Sequence, residues 1–149
     1  MTNERDYVLG THDEELERLG LQHRAWQSVV LDCWRRAGIT AGSRVLDVGA
    51  GPGYATVDLA EIVGSAGEVV ALERSHKFVA AIEKARRTRS LTNVKIKELD
   101  LMTDELPQGQ FDFSWCRWVL CFVSDPALLV RKIGSVLKRG GLALFHEYG

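Results

Sequence analysis

The run Arg44-Val45-Leu46-Asp47-Val48-Gly49-Ala50-Gly51-Pro52-Gly53-Tyr54-Ala55-Thr56 sets the terms for any fold of this chain. A short apolar strand ends in an acid and breaks into a turn with glycine at alternate positions. A helix from Thr56 to about Val63 is predicted to follow directly. Glycines there remove side chains where a ligand must come close to the backbone. The free N–H groups of the helix's first turn point at the same place. This arrangement predicts a site for a nucleoside-containing cofactor.

The rest of the chain alternates strand and helix around that turn. The spacing predicts a helix over Glu15–Ala37, with Leu16, Leu19, Ala25, Val29, Val30 and Cys33 able to share a face and Gly38 as its stop. Strands are expected at Arg44–Val48, Glu68–Leu72, Asn93–Glu98, Phe111–Cys116 and Leu142–Glu147. Helices are expected over 76–87 and Pro126–Leu137, the latter with proline in its first turn and Lys138-Arg139-Gly140-Gly141 as its cap. Strands separated by helices in this way imply an α/β fold with a doubly wound, Rossmann-like parallel sheet. No internal repeat is present.

The 149 residues fit one domain with enough apolar content for a core. A net charge of −1 gives no reason to expect nucleic acid or an anionic membrane as partner. The basic cluster Lys84-Ala85-Arg86-Arg87-Thr88-Arg89 falls near a helix end, where cations suit the dipole. No stretch reaches transmembrane length, and Met1–Asp13 has no signal-peptide character. Cys33, Cys116 and Cys121 do not form a disulfide framework. The histidines His12, His23, His76 and His146 lack metal-ligand spacing. A cytoplasmic, metal-free protein is the expectation.

The glycine pattern discriminates between cofactors. A dinucleotide turn needs G-x-G-x-x-G. Here Gly49 and Gly51 fit, but the third position is Tyr54, and Gly53 gives G-x-G-x-G after Asp47 instead. Glu73, followed by Arg74, closes the second strand. Asp100-Leu101 closes the third, Phe111-Asp112 opens the fourth, and Val136-Leu137-Lys138-Arg139-Gly140-Gly141 precedes the fifth. In this order and spacing, residues 40–147 resemble the class I methyltransferases that use S-adenosyl-L-methionine (SAM). Tyr7–Leu19, Gln22-His23-Arg24-Ala25-Trp26, Trp115-Cys116-Arg117-Trp118 and His146-Glu147-Tyr148 further resemble a bacterial small-molecule subgroup.

The resemblance implies a sheet of order 3-2-1-4-5. It implies an arm and helix over residues 1–37 that cover the cofactor, and a SAM-binding domain over 38–149. It also implies roles. Gly49, Gly51 and Gly53 let the loop pass under the methionine part. Asp47 orients the loop and the amino group. Glu73 holds the ribose, with Arg74 beside it, and Asp100 and Leu101 read the adenine. Cys116 offers its backbone to the methionine amino group, and Gln22 reaches the cofactor from the helix. Each acid also has a plainer reading: Asp47 as a helix-start acid, Glu73 as a solvated strand end, Asp100 as a turn residue. Trp115 and Trp118 read as packing.

His146 falls at the carboxyl end of the fifth strand, which in open α/β sheets faces the ligand crevice. It is either a general base or substrate contact, or a polar plug. Class I methyltransferases usually continue past strand five with a C-terminal strand pair, and the expectation for the sequence to Gly149 is a sheet without that pair. Strand five would then be an open edge, a template for self-association. The expected activity is methyl transfer to a small-molecule acceptor. The alternatives are a SAM-binding module without turnover and an NAD-binding oxidoreductase domain.

Overall fold

The protein is described by a computed structural model covering residues 13–147. The arm residues Tyr7 and His12 lie outside the described residues. The order is α1 (Asp13–Ala37), β1 (Arg44–Val48), α2 (Tyr54–Val63), β2 (Glu68–Glu73), α3 (His76–Thr88), β3 (Val94–Glu98), β4 (Phe111–Arg117), a 3-10 turn at Leu120–Phe122, α4 (Pro126–Val136) and β5 (Leu137–His146). The five strands form one sheet in the order β3-β2-β1-β4-β5, every neighbouring pair parallel. This is the order and class that the sequence pattern implied.

Parallel sheets are stable when both faces are covered. Val45, Val69 and Trp115 pack against Val30 and Trp34 of α1 and Leu59 of α2. Leu46, Val48, Val70, Leu72 and Cys116 pack on the opposite face, with Leu129, Ile133 and Val136 of α4. Alternation along β1 thus sends Val45 and Asp47 to the α1 face. The register Asp47↔Trp115 and Arg117↔His146 places those four residues on that same face near the carboxyl ends of their strands.

Three elements depart from the sequence expectation. The buried positions of α1 include Gly20, His23, Val30 and Trp34, while Val29 and Cys33 are exposed. The inner stripe carries polar residues because it meets polar partners, as shown below. Helix α2 begins two residues early, at Tyr54, because Gly53 takes the N-cap position at φ 94°. Strand β5 begins at Leu137: Phe111 pairs with Leu137, the register then shifts, and Phe113 pairs with Leu142. Lys138–Gly141 is therefore an irregular strand start, with Gly140 at φ 83°, and not a helix cap.

Capping explains the other boundaries. Ser75 Oγ accepts the N–H of Phe78 at the start of α3, and Asp125 Oδ1 accepts that of Leu128 before Pro126 in α4. Asn93, expected in a strand, instead donates its amide to the carbonyls of Ala60 and Gly64 and closes the end of α2. Among the described residues no helix is long and apolar enough to cross a membrane.

Candidate active site

The carboxyl ends of β3, β2, β1 and β4 open into a single cavity of about 600 Å³, walled on one side by α1. Asp100 and Leu101 stand at one end, Glu73 and Arg74 in the middle, Gly49 and Gly51 beneath, and Trp115, Arg117 and Trp118 at the other end. Gln22 reaches the wall from α1. A crevice at the carboxyl ends, where strand order reverses, is where α/β sheets bind ligands.

Each acid is held by the backbone around it. Glu73 is buried; its Oε1 accepts the Gly51 N–H at 2.9 Å and its Oε2 accepts that of Ser75 at 2.7 Å. It is therefore no solvated strand end. Asp47 is also buried and accepts the hydroxyl of Thr56 at 2.6 Å. Burial pushes its carboxyl up to about 6, against the Thr56 hydrogen bond and the Arg117 cation. Asp100 does behave as a turn residue: its Oδ1 accepts the N–H groups of Met102 and Thr103. Its other oxygen lies 3.9 Å from Arg74 Nη1. Lys132 donates to the carbonyls of Leu101 and Asp104, pinning the loop after β3.

The glycines divide by task. A Cβ on Gly51 would meet nothing within 4 Å, so its φ of 59° faces open cavity. A Cβ on Gly53 would lie 2.9 Å from Ile82 Cγ1, and one on Gly49 2.5 Å from Val119 Cγ2. Gly53 does not line the cavity; it allows α3 to pack close to the loop. Cys116 also stays out of the cavity wall, with its side chain in the α4-side core. Burial pushes its thiol far above the ordinary range, which excludes a thiolate nucleophile.

A polar cluster, which the sequence pattern did not single out, closes the far end of the cavity. Arg117 Nη2 lies 3.0 Å from His23 Nδ1, and His23 Nε2 lies 2.7 Å from Asp58 Oδ2. A guanidinium only donates, so His23 accepts at Nδ1 and donates from Nε2. Gln27 Nε2 also donates to Asp58 Oδ2. Burial raises the Asp58 carboxyl, but the hydrogen bonds from His23 and Gln27 outweigh it and hold the group below its usual value. Tyr54 stacks on His23 at 5.8 Å and donates its hydroxyl to the Leu16 carbonyl. Gly20 is required there, because a Cβ would lie 2.9 Å from the Tyr54 oxygen. Arg117 could have been found from parity alone. It stands two residues after Trp115, whose partner across the sheet is Asp47.

His146 does not line the cavity. Its ring is packed against Trp26 at 5.1 Å, Trp118 at 5.1 Å and Trp115 at 6.1 Å. Its Nδ1 is buried without a hydrogen-bond partner, as is Arg117 Nη1. Burial and the Arg117 cation pull the imidazole below its usual value, while Glu147 opposes them. Among the described residues, no cluster of three or more His, Cys, Asp and Glu side chains is placed to hold a metal ion.

Known proteins share this framework. Residues 46–145 match the family model described as "Methyltransferase domain". A demethylmenaquinone methyltransferase of Geobacillus kaustophilus (strain HTA426) is 31% identical over 126 residues, which cover 85% of this chain and 53% of that protein. The chain spans about half the length of the curated relatives it matches. Coclaurine N-methyltransferase, solved with N-methylheliamine and SAH, superposes with a TM-score of 0.71 at 31% identity, over 79% of this chain and 35% of that one. StiE O-MT superposes with a TM-score of 0.73 at 26% identity, over 90% and 47%. The match over residues 46–145, on a sheet of order β3-β2-β1-β4-β5, makes this chain a member of the methyltransferase-domain family.

Proposed function

We propose that the chain binds SAM in the cavity and transfers its methyl group to a small-molecule acceptor. One observation carries this reading: a continuous cavity runs from Asp100–Leu101 past Glu73 and the glycine loop to Trp115–Trp118. Its wall changes character along the way, as an adenosine joined to an amino acid would need. Phe78, Leu99 and Met102 offer apolar contact at the adenine end. Glu73 lines the middle of the cavity, where its carboxylate is placed to meet ribose hydroxyls. Arg74 screens it, and the backbone of Leu101 faces the base. At Gly51 the space that a Cβ would fill is open to the cavity, so the loop can cradle a ligand.

At the other end, ionised Asp47 attracts an ammonium group. Gln22 covers the cofactor from α1, and the backbone of Cys116 stands at the close of β4. The SAM sulfonium supplies an already activated methyl group. The chain's part is to align donor and acceptor and to exclude water. A base is needed only where the acceptor carries a proton that must leave, and His146 is the side chain for that step. The described fold also leaves β5 as an edge strand, which favours self-association. The absence of a spanning helix among the described residues fits the cytoplasmic setting that we infer for such an enzyme.

Calorimetry tests the reading. SAM and its demethylated product should bind and NAD should not, because Tyr54 occupies the position of a dinucleotide turn's third glycine. Binding of NAD in place of SAM would refute it. A SAM-binding module without turnover is separated by methyl release from labelled SAM in the presence of an acceptor.

A further inference from the structure

Two buried nitrogens without partners belong to residues that are register neighbours near the carboxyl ends of β4 and β5. Arg117 and His146 are paired across β4 and β5, on the face that carries Asp47. Arg117 Nη1 and His146 Nδ1 are each enclosed with no hydrogen-bond partner. Buried polar atoms are normally satisfied, so a pair of orphans in one place calls for an explanation. Both groups pack on the same indole: the Arg117 guanidinium lies 5.0 Å from the Trp118 ring centroid, and the His146 ring 5.1 Å from it. Trp26 and Trp115 complete an aromatic wall around His146.

The geometry points to an acceptor subsite at Arg117 and His146 that takes a planar aromatic hydroxyl, a phenol or naphthol, with its oxygen toward the two orphaned nitrogens. This rests on the methyl-transfer reading and adds the acceptor class to it. Flat indole walls favour a flat apolar body. A guanidinium offers a fixed N–H to an oxygen that becomes negative. The proposed tautomer of His146 carries its proton on Nε2, which leaves Nδ1 as an acceptor, so the oxygen must arrive carrying a proton. A carboxylate arrives without that proton and would leave His146 Nδ1 unsatisfied. In the proposed step the O–H bond breaks and its proton passes to Nδ1. The electron pair stays on oxygen, beside the guanidinium, ready to attack a methyl carbon.

The surroundings hold this arrangement in place. Arg117 is anchored through Nη2 by the His23–Asp58 pair, which leaves Nη1 for a ligand. Asp47, Asp58 and Glu147 are the acidic groups that act on Arg117 and His146. Glu147 is occupied by the N–H groups of Val119 and Leu120. Trp118 lines the cavity while His146 does not, so its indole stands at the boundary between them. The Trp118 backbone has a φ of 54°, strained for a bulky residue, and its backbone N–H donates to the His146 carbonyl at 2.8 Å. That indole must swing aside for the subsite to join the cavity.

The test uses the chain saturated with the demethylated cofactor product, titrated with 4-nitrophenol and with 2-naphthol. The pH is set where each free probe is protonated. Binding should quench tryptophan fluorescence and bring up the phenolate absorption band. Arg117→Met should lose the band and about tenfold or more in probe affinity, beyond whatever change the same titration shows in affinity for the cofactor product, since Arg117 also lines that cavity. His146→Asn is the second variant, for the case that loss of Arg117 loosens α1. It should lose the band at that pH but still bind probe ionised beforehand at higher pH. If the cofactor product binds and neither probe does, or if both variants bind probe and show the band as the parent does, the acceptor subsite is overturned alone. If the cofactor product itself fails to bind the parent chain, the methyl-transfer reading falls and takes this one with it.

Discussion

Gly51 donates its backbone N–H to Glu73 Oε1 at 2.9 Å, tying the glycine loop after β1 to the end of β2. The same carboxylate takes the N–H of Ser75, the N-cap of α3. One buried acid therefore fixes the floor of the cavity and the start of the helix beside it. Glu73→Ala leaves two backbone donors without their acceptor and removes the ribose partner. The expected loss in SAM affinity is about 1.5–3 kcal/mol, the scale of hydrogen bonds to a charged group. Calorimetry on the folded variant measures it, and unchanged affinity would remove Glu73 from the ribose role.

The glycines give a sharper contrast, because two of them in one loop should fail differently. Gly53→Ala places a Cβ against Ile82 at a φ of 94°. It should cost stability by about 1–3 kcal/mol through strain and overpacking, read as a lowered unfolding midpoint. Gly51→Val places its Cβ against no neighbouring atom but strains the backbone at φ 59°, so it should lose some stability and still fold with most of its helical signal. Its side chain occupies cofactor space, so SAM binding should be lost. Normal SAM binding by Gly51→Val would show that the loop is not the cradle.

Asp47 links pH to both stability and binding. Its folded-state value of about 6 lies above the ordinary 3.8, chiefly because of burial. Between those values the folded chain holds a proton that the unfolded chain has released. Stability should therefore fall as pH rises through that window, by about 3 kcal/mol at most. Asp47→Asn should flatten this slope and raise stability at neutral pH relative to the parent, while weakening SAM binding, a trade common at ligand sites. Denaturant unfolding from pH 4 to 7 measures the slope. The ammonium of SAM favours ionised Asp47, so binding near pH 6 should release a proton, seen as a heat that varies with buffer. A stability that rises with pH in the parent alone would contradict this assignment.

The strand–helix alternation and the three acids Asp47, Glu73 and Asp100 were legible because each rests on local chemistry, whereas the strand order came from the family resemblance. Apolar runs end in an acid, and glycine then frees the backbone. What the sequence hid depends on contacts across the fold. The α1 stripe reads poorly because His23 and Gln27 lie along it, and they are satisfied only by Asp58 and Arg117 from α2 and β4. Alternation placed His146 at the right end of β5. Only the packing of Trp26, Trp115 and Trp118 around it shows that it sits behind the cavity wall and not in it. Likewise Lys138-Arg139-Gly140-Gly141 looks like a helix cap until the register shift opposite Phe111–Phe113 is seen.

Strand β5 carries the last prediction. It pairs with β4 on one side and has no strand on the other among the described residues, which leaves a row of backbone donors and acceptors as a pairing template. Leu142 is 46% exposed and Phe145 37%, on opposite faces of that strand, and Val130 of α4 is 44% exposed. Lys138 and Arg139 place charge at the start of the strand and no acid, lysine or arginine follows within it, so its middle lacks the inward or central charge that blunts an edge. Two copies meeting edge to edge about a two-fold axis would pair β5 antiparallel and bury both sets of apolar side chains. The purified chain should therefore sediment above monomer mass at high micromolar concentration. Leu142→Lys with Phe145→Lys should return it to monomer without changing its circular dichroism. A clean monomer of the parent chain at that concentration, unfolding cooperatively, would show that the covered faces of a five-stranded sheet suffice and that the edge is inert.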